Sequence, residues 1–414
     1  MPAGPVARGD RIASLDIIRG IAVLGILLAN ITGFAHSRAA YYWPPALPGG
    51  ASAADDWIWL AQFTLVDGKM RGLFALLFGA GLALFASRAG DPIDALTLQG
   101  RRLFWLGLFG IAHYALLFDG DILFIYATGG FVALLAMDWP PRRLIGIGLV
   151  WAVAGGLFRT LQFATVASME FMMAGDAAHP GMAMLREFWQ QRLAEDAAAA
   201  AVYAQGSYAD IVALRVSEAG EEVAGSILVN FVETIPLILI GMGLFRAGLF
   251  TDAALRRAWR GKAAVAALAG AAALAATGLF VMSRGFPIYQ TQFAFFGLSL
   301  LFNLPLILGG MLLLADWAAG ARESWLGERL AQAGRMAFSN YIGTSLVMSA
   351  IFQGWAGGLF GTMHRAEMLL VVLMGWALML TLSRLWLKAF RYGPLEWLWR
   401  CLTYWRLFPI RRAA

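Results

Sequence analysis

His113 stands just before a tight turn that carries Asp119 and Asp121, in the segments GIAHY and FDGDIL, with Tyr126 following. An imidazole near a carboxylate is the pairing that general-base catalysis uses, because the carboxylate fixes the ring tautomer and stabilises the imidazolium that forms. Either aspartate would serve as the orienting group. The competing reading is a hydrogen-bonded structural histidine beside turn carboxylates that are merely solvated.

Other ionisable residues interrupt apolar sequence, where charge is expensive and therefore informative. Asp16 and Arg19 lie three apart, on one face of a helix, where they can pair with each other; alternatively Arg19 meets an anionic donor such as the phosphates of coenzyme A, which suit guanidinium geometry. Asn30 lies farther along the same segment and His36 follows it. Asp67, Lys69 and Arg71 flank a break between two apolar stretches, either solvated at an interface or paired with other helices. Glu233, with Asn230 and Thr234, is expected near mid-membrane, where a carboxylate pairs with an arginine such as Arg159, stays protonated or carries protons. Asn303, Ser339 and Asn340 are polar helix positions of the kind that more often join helices than bind ligands. The sequence has no HExxH, no GxSxG around a usable serine and no Walker loop. Its four histidines, His36, His113, His179 and His364, lack metal-ligand spacing, so no metal is expected and most hydrolase and ATPase readings fall away.

These residues must be positioned by a membrane scaffold. Of 414 residues 60% are hydrophobic and 14% charged, against about a quarter charged in an ordinary soluble domain. Ten apolar runs are each about long enough to cross a bilayer as a helix: 15–35, 72–87, 103–118, 122–137, 144–164, 223–249, 263–282, 293–315, 338–355 and 368–387. The stretch 57–66, ahead of the short second run, reads as an interfacial or re-entrant helix. Cys401 is the only cysteine, which excludes an internal disulfide and a cysteine-based metal cluster. No removable signal peptide is read at the start of the chain.

The formal charge of +6 sits in short clusters between apolar runs, so it reports orientation in a membrane rather than nucleic-acid binding. Basic residues concentrate in alternate connections (Arg88, Arg101 and Arg102; Arg142 and Arg143; Arg256, Arg257, Arg260 and Lys262; Arg322, Arg329 and Arg335), in the N-terminal arm with Arg8 and Arg11, and in the tail. Both termini are therefore expected on the cytoplasmic side, with an even number of spans.

A single membrane domain, 1–414, is expected, with two appendages. The connection 165–222 is an acidic extracytoplasmic helical segment, in which 182–204 has apolar positions at turn-like spacing; it is a lid over an outward-facing site or a surface helix. The tail 388–414 mixes Trp and Arg in the manner of a cytoplasmic interfacial anchor. FGAGLALF near Phe78 and GMGLFRAGLF near Gly241 are loosely alike, which small residues at helix contacts explain without duplication. Gly- and Ala-rich faces also make a homodimer conceivable.

The segments SLDIIRGIAVLGILLANITGF from Ser14, MRGLFALLFGAGLALF from Met70, GDILFIYA from Gly120, GRMAFSNY from Gly334 and GPLEWLWR from Gly393 resemble the YeiB-like family of bacterial inner-membrane proteins, from end to end of the chain. That family resembles more distantly the transmembrane acyltransferases, through the Asp16-x-x-Arg19-Gly20 start of the first span. The resemblance implies an acyltransferase-like bundle in the inner membrane, acyl-CoA as cytoplasmic donor, an envelope lipid or sugar as acceptor, and an essential histidine, His36 or His113. The alternatives are a transporter or lipid-translocating protein, with Glu233 and His113 as a proton relay and Asp67, Lys69 and Arg71 as a gate, and a non-catalytic binding or assembly protein.

Overall fold

A computed structural model describes residues 12–88, 92–174 and 179–412; Arg8, Arg11 and Asp176 lie outside them. The order is α1 (Ala13–Ala35), α2 (Arg38–Tyr42), α3 (Ala53–Leu65), α4 (Lys69–Ala86), α5 (Pro92–Leu116), α6 (Leu123–Leu134), α7 (Pro141–Met173), α8 (Pro180–Gln205) and α9 (Tyr208–Val229). There follow α10 (Ile235–Arg246), α11 (Ala253–Ser283), α12 (Ile288–Gln292), α13 (Ser299–Ala321), α14 (Trp325–Arg335), α15 (Ala337–Phe352), α16 (Arg365–Ala389) and α17 (Pro394–Tyr404). The described residues form no sheet, in keeping with an apolar environment in which each segment must satisfy its own backbone.

Among the described residues, seven helical stretches are long and apolar enough to cross a membrane: Ala13–Ala35, Ala53–Ala86, Pro141–Met173, Tyr208–Arg246, Ala253–Ser283, Ile288–Ala321 and Arg365–Ala389. The other three apolar runs fall in α5 and in the shorter helices α6 and α15. The stretch expected to be interfacial belongs instead to α3, which runs into α4 as one interrupted apolar stretch. The interruption is Gly68, whose φ of +77° is readily adopted only without a Cβ. The described part of the acidic connection is largely helical too: α7 continues to Met173 and α9 begins at Tyr208, with α8 between them.

Close helix approach explains the two similar glycine motifs. A Cβ on Gly79 of α4 would run into the carbonyl oxygen of Ile238, and one on Gly241 of α10 into that of Leu76. Each glycine therefore receives the partner helix's backbone, the geometry that small residues permit between apolar helices. The tail is part of the bundle. Glu396 of α17 accepts hydrogen bonds from the backbone N–H groups of Phe338 and Ser339 at 2.8 and 3.0 Å and from the Ser339 hydroxyl at 2.5 Å. A carboxylate there satisfies donors left open at a helix start, and it holds the first turn of α15. Burial pushes the Glu396 carboxyl up, against the pull of those hydrogen bonds. Trp399 donates to the Arg102 carbonyl at 2.8 Å, locking α17 to α5 as well.

Candidate functional site

The end of α5, the turn after it and one face of α15 build a single polar constellation. His113 lies in the last turn of α5, and its carbonyl accepts the N–H groups of Leu117 and Phe118 at 2.8 and 3.0 Å, which closes the helix. The chain then turns through Asp119, Gly120 and Asp121 into α6. Asp121 has two jobs: Oδ2 accepts the Phe124 N–H at 2.7 Å, capping α6, while Oδ1 lies 2.8 Å from His113 Nδ1. Gly110 makes room for this turn, because a Cβ there would press on Phe124 N and stand 2.8 Å from Asp121 Oδ2.

On the other side of the ring, His113 Nε2 lies 2.8 Å from Ser345 Oγ. In the tautomer whose Nδ1–H donates to Asp121, Nε2 is an acceptor and Ser345 donates to it. His113, Asp121 and Ser345 are 2%, 7% and 1% exposed, so the chain of hydrogen bonds is shielded from competing solvent. Tyr341, Ser345 and Ser349 recur every four residues and so form one stripe on α15. The members on either side of Ser345 reach the α5–α6 turn: Tyr341 Oη donates to the Gly120 carbonyl at 3.3 Å and accepts the Ile122 N–H at 3.3 Å, and Ser349 donates to the Leu117 carbonyl at 2.7 Å. A small cavity borders this site, lined by Asn30 and Phe34 of α1 and by Tyr341, Thr344 and Ser345 of α15.

Asp119 does not orient His113. It accepts from Arg38 at 3.3 Å, and Arg38 also pairs with Glu218 at 2.7 Å, while Asp196 accepts the backbone N–H groups of Arg38 and Ala39. These contacts tie α2 to the α5–α6 turn, α8 and α9. Tyr126 likewise belongs elsewhere, donating to the Arg71 carbonyl at 2.8 Å.

A second polar cluster lies around the α3–α4 break. Arg71 makes a two-pronged pair with Glu233, Nη2–Oε2 at 2.7 Å and Nε–Oε1 at 3.3 Å. The partner of Glu233 is thus Arg71, not Arg159, which bonds Gln162 on its own helix at 2.7 Å. Glu233 sits in a π-helical turn, Asn230–Thr234, just before Pro236, which has no N–H to offer the ladder. Asn230 donates to Thr128 at 2.6 Å, and a small cavity lined by Glu233, Asn303 and apolar side chains adjoins the pair. Asp67 and Lys69 are both buried, and Lys69 donates to the Phe63 carbonyl one helix earlier.

The chain is 30% identical to YeiB of Escherichia coli (strain K12) over 405 residues, 95% of this chain and 96% of that protein. It belongs to the YeiB family. YxaH of Bacillus subtilis (strain 168) is 28% identical over 439 residues, covering 99% of this chain and 98% of its own, and a 39.9 kDa protein encoded 3′ of an amylase in Bacillus acidopullulyticus is 25% identical over 413. All three are described as uncharacterised. The family model described as a protein of unknown function (DUF418) matches residues 244–406. No solved structure matches the chain. In this YeiB-family chain the matched segment supplies Tyr341, Ser345 and the capping Glu396, while His113 and Asp121 come from the part that precedes it.

The remaining sequence candidates of this YeiB-family chain are dispersed. Asp16 and Arg19 pair with each other at 2.9 Å. Asn340 donates to the Ala333 carbonyl and to Ser383, at 3.1 and 3.0 Å, joining α14, α15 and α16. His36 takes no part in the His113 hydrogen-bond chain: its Nε2–H donates to the Met363 carbonyl at 2.7 Å. Sequence reasoning missed Ser345 and Tyr341, although their four-residue spacing was visible. It also missed Arg365, whose buried guanidinium reaches Gln62 at 2.8 Å, Thr32 at 3.3 Å and the Ala40 and Tyr41 carbonyls, while Asp55 accepts the Arg365 N–H at 2.7 Å and contacts His364 Nδ1 at 2.8 Å.

His36 carries a pH prediction. Burial, with the charges of Arg365 and His364 adding to it against the Met363 hydrogen bond and Asp55, lowers its pKa from 6.5 to about 4. Between those values the unfolded chain binds a proton that the folded one does not. Stability is complete above pH 6.5 and falls as the pH drops toward 4, by a total of about 3 kcal/mol from this ring. Melting temperatures of purified protein across that window should fall for wild type and fall less for His36→Gln. Parallel curves would remove His36 as a cause.

Proposed function

We propose that this chain is a membrane-bound acyltransferase, in which His113 acts as general base for transfer of an acyl group from cytoplasmic acyl-CoA to a hydroxyl or amine of an envelope lipid or sugar. The observation that carries the reading is the Asp121–His113 pair with Nε2 directed at a hydroxyl beside a cavity. A carboxylate-oriented imidazole whose free nitrogen already holds a hydroxyl is arranged for deprotonating one.

The donor side is supported by α1. Arg19 and Asn30 are eleven residues apart, which at about 100° per residue returns to nearly the same face and at 1.5 Å per residue spans about 16 Å. A donor lying along that face would place its phosphates at Arg19 and its thioester beside Asn30. Arg102 lies close enough to both Arg19 and Arg400 to interact with each electrostatically. The transport reading is weakened because Glu233 is already engaged by Arg71 in a two-pronged pair.

The test is thiol release from acyl-CoAs of increasing chain length by protein in lipid nanodiscs, with mass spectrometry of the lipids. Saturable CoA release with acyl groups appearing on lipid is expected, and Arg19→Ala should raise KM for the donor more than it lowers kcat. Folded wild-type protein that neither binds nor consumes any acyl-CoA would overturn the reading.

A further inference from the structure

We propose that Ser345 is the first acyl acceptor, so that transfer proceeds through an acyl-serine held inside the bundle; this rests on the acyl-transfer reading above. Ser345 Oγ occupies the position at His113 Nε2 that a direct mechanism would keep for the incoming acceptor. A helix serine commonly bonds the carbonyl four residues back, and here Tyr341 O lies at 3.2 Å. The imidazole is nearer, at 2.8 Å, and it is the stronger base. Asp121 on the far nitrogen leaves it ready to accept a proton.

The surroundings fit a covalent step. Ser345 faces the cavity that Asn30 also lines, and the Asn30 side chain makes no hydrogen bond to the described residues. Its amide N–H groups are thus available to an oxyanion formed at a carbonyl carbon attached to Ser345. Phe34 and Leu27 on the same wall give an acyl chain apolar company.

In the first step Oγ attacks the thioester carbonyl and its proton passes to His113 Nε2; the C–S bond breaks, and the CoA sulfur leaves with that proton. In the second step the acceptor hydroxyl or amine attacks the acyl-serine carbonyl, again losing its proton to His113, and the departing Ser345 oxygen takes it back. Atoms and charge balance with no further reactant. Two half-reactions also remove any need for a cytoplasmic donor and an acceptor from the opposite side to meet in one small cavity.

The experiment incubates nanodisc-embedded protein with acyl-CoA, quenches in acid and reads intact mass and peptides for wild type, Ser345→Ala and Ser345→Cys, with melting temperature and acyl-CoA binding verifying that each variant is folded. The expected result is a burst of CoA near one per protein, one acyl mass on the Ser345 peptide, none there in Ser345→Ala, and an adduct in Ser345→Cys that neutral hydroxylamine removes. Acyl transfer by Ser345→Ala within a few-fold of wild type, or an adduct on another residue, would overturn Ser345 while leaving acyl transfer standing. If folded wild type releases no CoA, both fall. Should Ser345→Ala fail to fold, the wild-type adduct site and the Ser345→Cys hydroxylamine response decide alone.

Discussion

Replacing His113 with glutamine should lower acyl-CoA turnover by roughly 10²–10⁴-fold, the usual range for loss of a positioned general base, while leaving donor binding nearly unchanged. The separation follows from geometry: Arg19 lies about 16 Å along α1 from Asn30, whereas the His113 ring nitrogens meet Asp121 and Ser345. Glutamine keeps hydrogen-bonding capacity in a site that would otherwise leave Asp121 and Ser345 with a lost partner, and so limits the stability loss. Asp121→Asn gives the sharper variant. Its side-chain oxygen can still cap α6 through the Phe124 N–H, but the amide that then faces Nδ1 is a donor, which turns the ring to the tautomer with Nε2 protonated and unable to accept from Ser345. A melting temperature close to wild type with turnover lost by a comparable factor is expected. Turnover by either variant within a few-fold of wild type would exclude His113 as the base.

The sequence made the helical bundle legible because backbone desolvation in an apolar environment leaves few alternatives. All ten apolar runs are helical, and the two glycine motifs proved to be one helix contact seen from both sides. The Asp-Gly-Asp turn was legible for the same local reason, but which aspartate served His113 was not. That choice depends on Arg38, brought to Asp119 by the packing of α2 against the turn, and on the capping of α6 by Asp121. Ser345 lies 232 residues from His113, and nothing local marks a serine in an apolar helix as facing an imidazole rather than its own backbone. Arg159 was the natural guess for Glu233 by its place in an apolar run. The π-helical turn at Asn230–Thr234 accompanies the pairing with Arg71 instead, and a π-turn has no reliable local signature.

The tail offers a related lesson. Composition alone made GPLEWLWR an interfacial anchor, yet Glu396 reaches the first turn of α15 and Trp399 the backbone of α5. α5 and α15 are the two helices that carry His113 and Ser345. The aromatic and basic character that suits an interface therefore coexists with a bracket that sets the relative height of the two halves of the candidate site.

Breaking the Arg71–Glu233 pair should carry a large stability cost. Removing one partner, by Glu233→Gln or Arg71→Met, leaves a charge that lost its counter-ion in surroundings that solvate it poorly, and is expected to cost about 3 kcal/mol, the lower end of the range for a broken buried pair. The lower end applies because the Arg71 side chain is 37% exposed, against 13% for Glu233, and because the Glu233 cavity has room for a water-sized group. Replacing both together, as Arg71→Met with Glu233→Leu, removes the desolvation cost along with the attraction and should recover most of the loss. Melting curves of the two single variants and the double variant in one detergent measure the coupling directly. The double variant also separates the functional readings: a structural clamp predicts near-normal CoA release once stability is restored, whereas a relay that carries protons through Glu233 predicts that activity stays lost. A double variant whose loss equals the sum of the two single losses would show that the pair contributes no coupling, and the distortion of the helix around Glu233 would then need another cause.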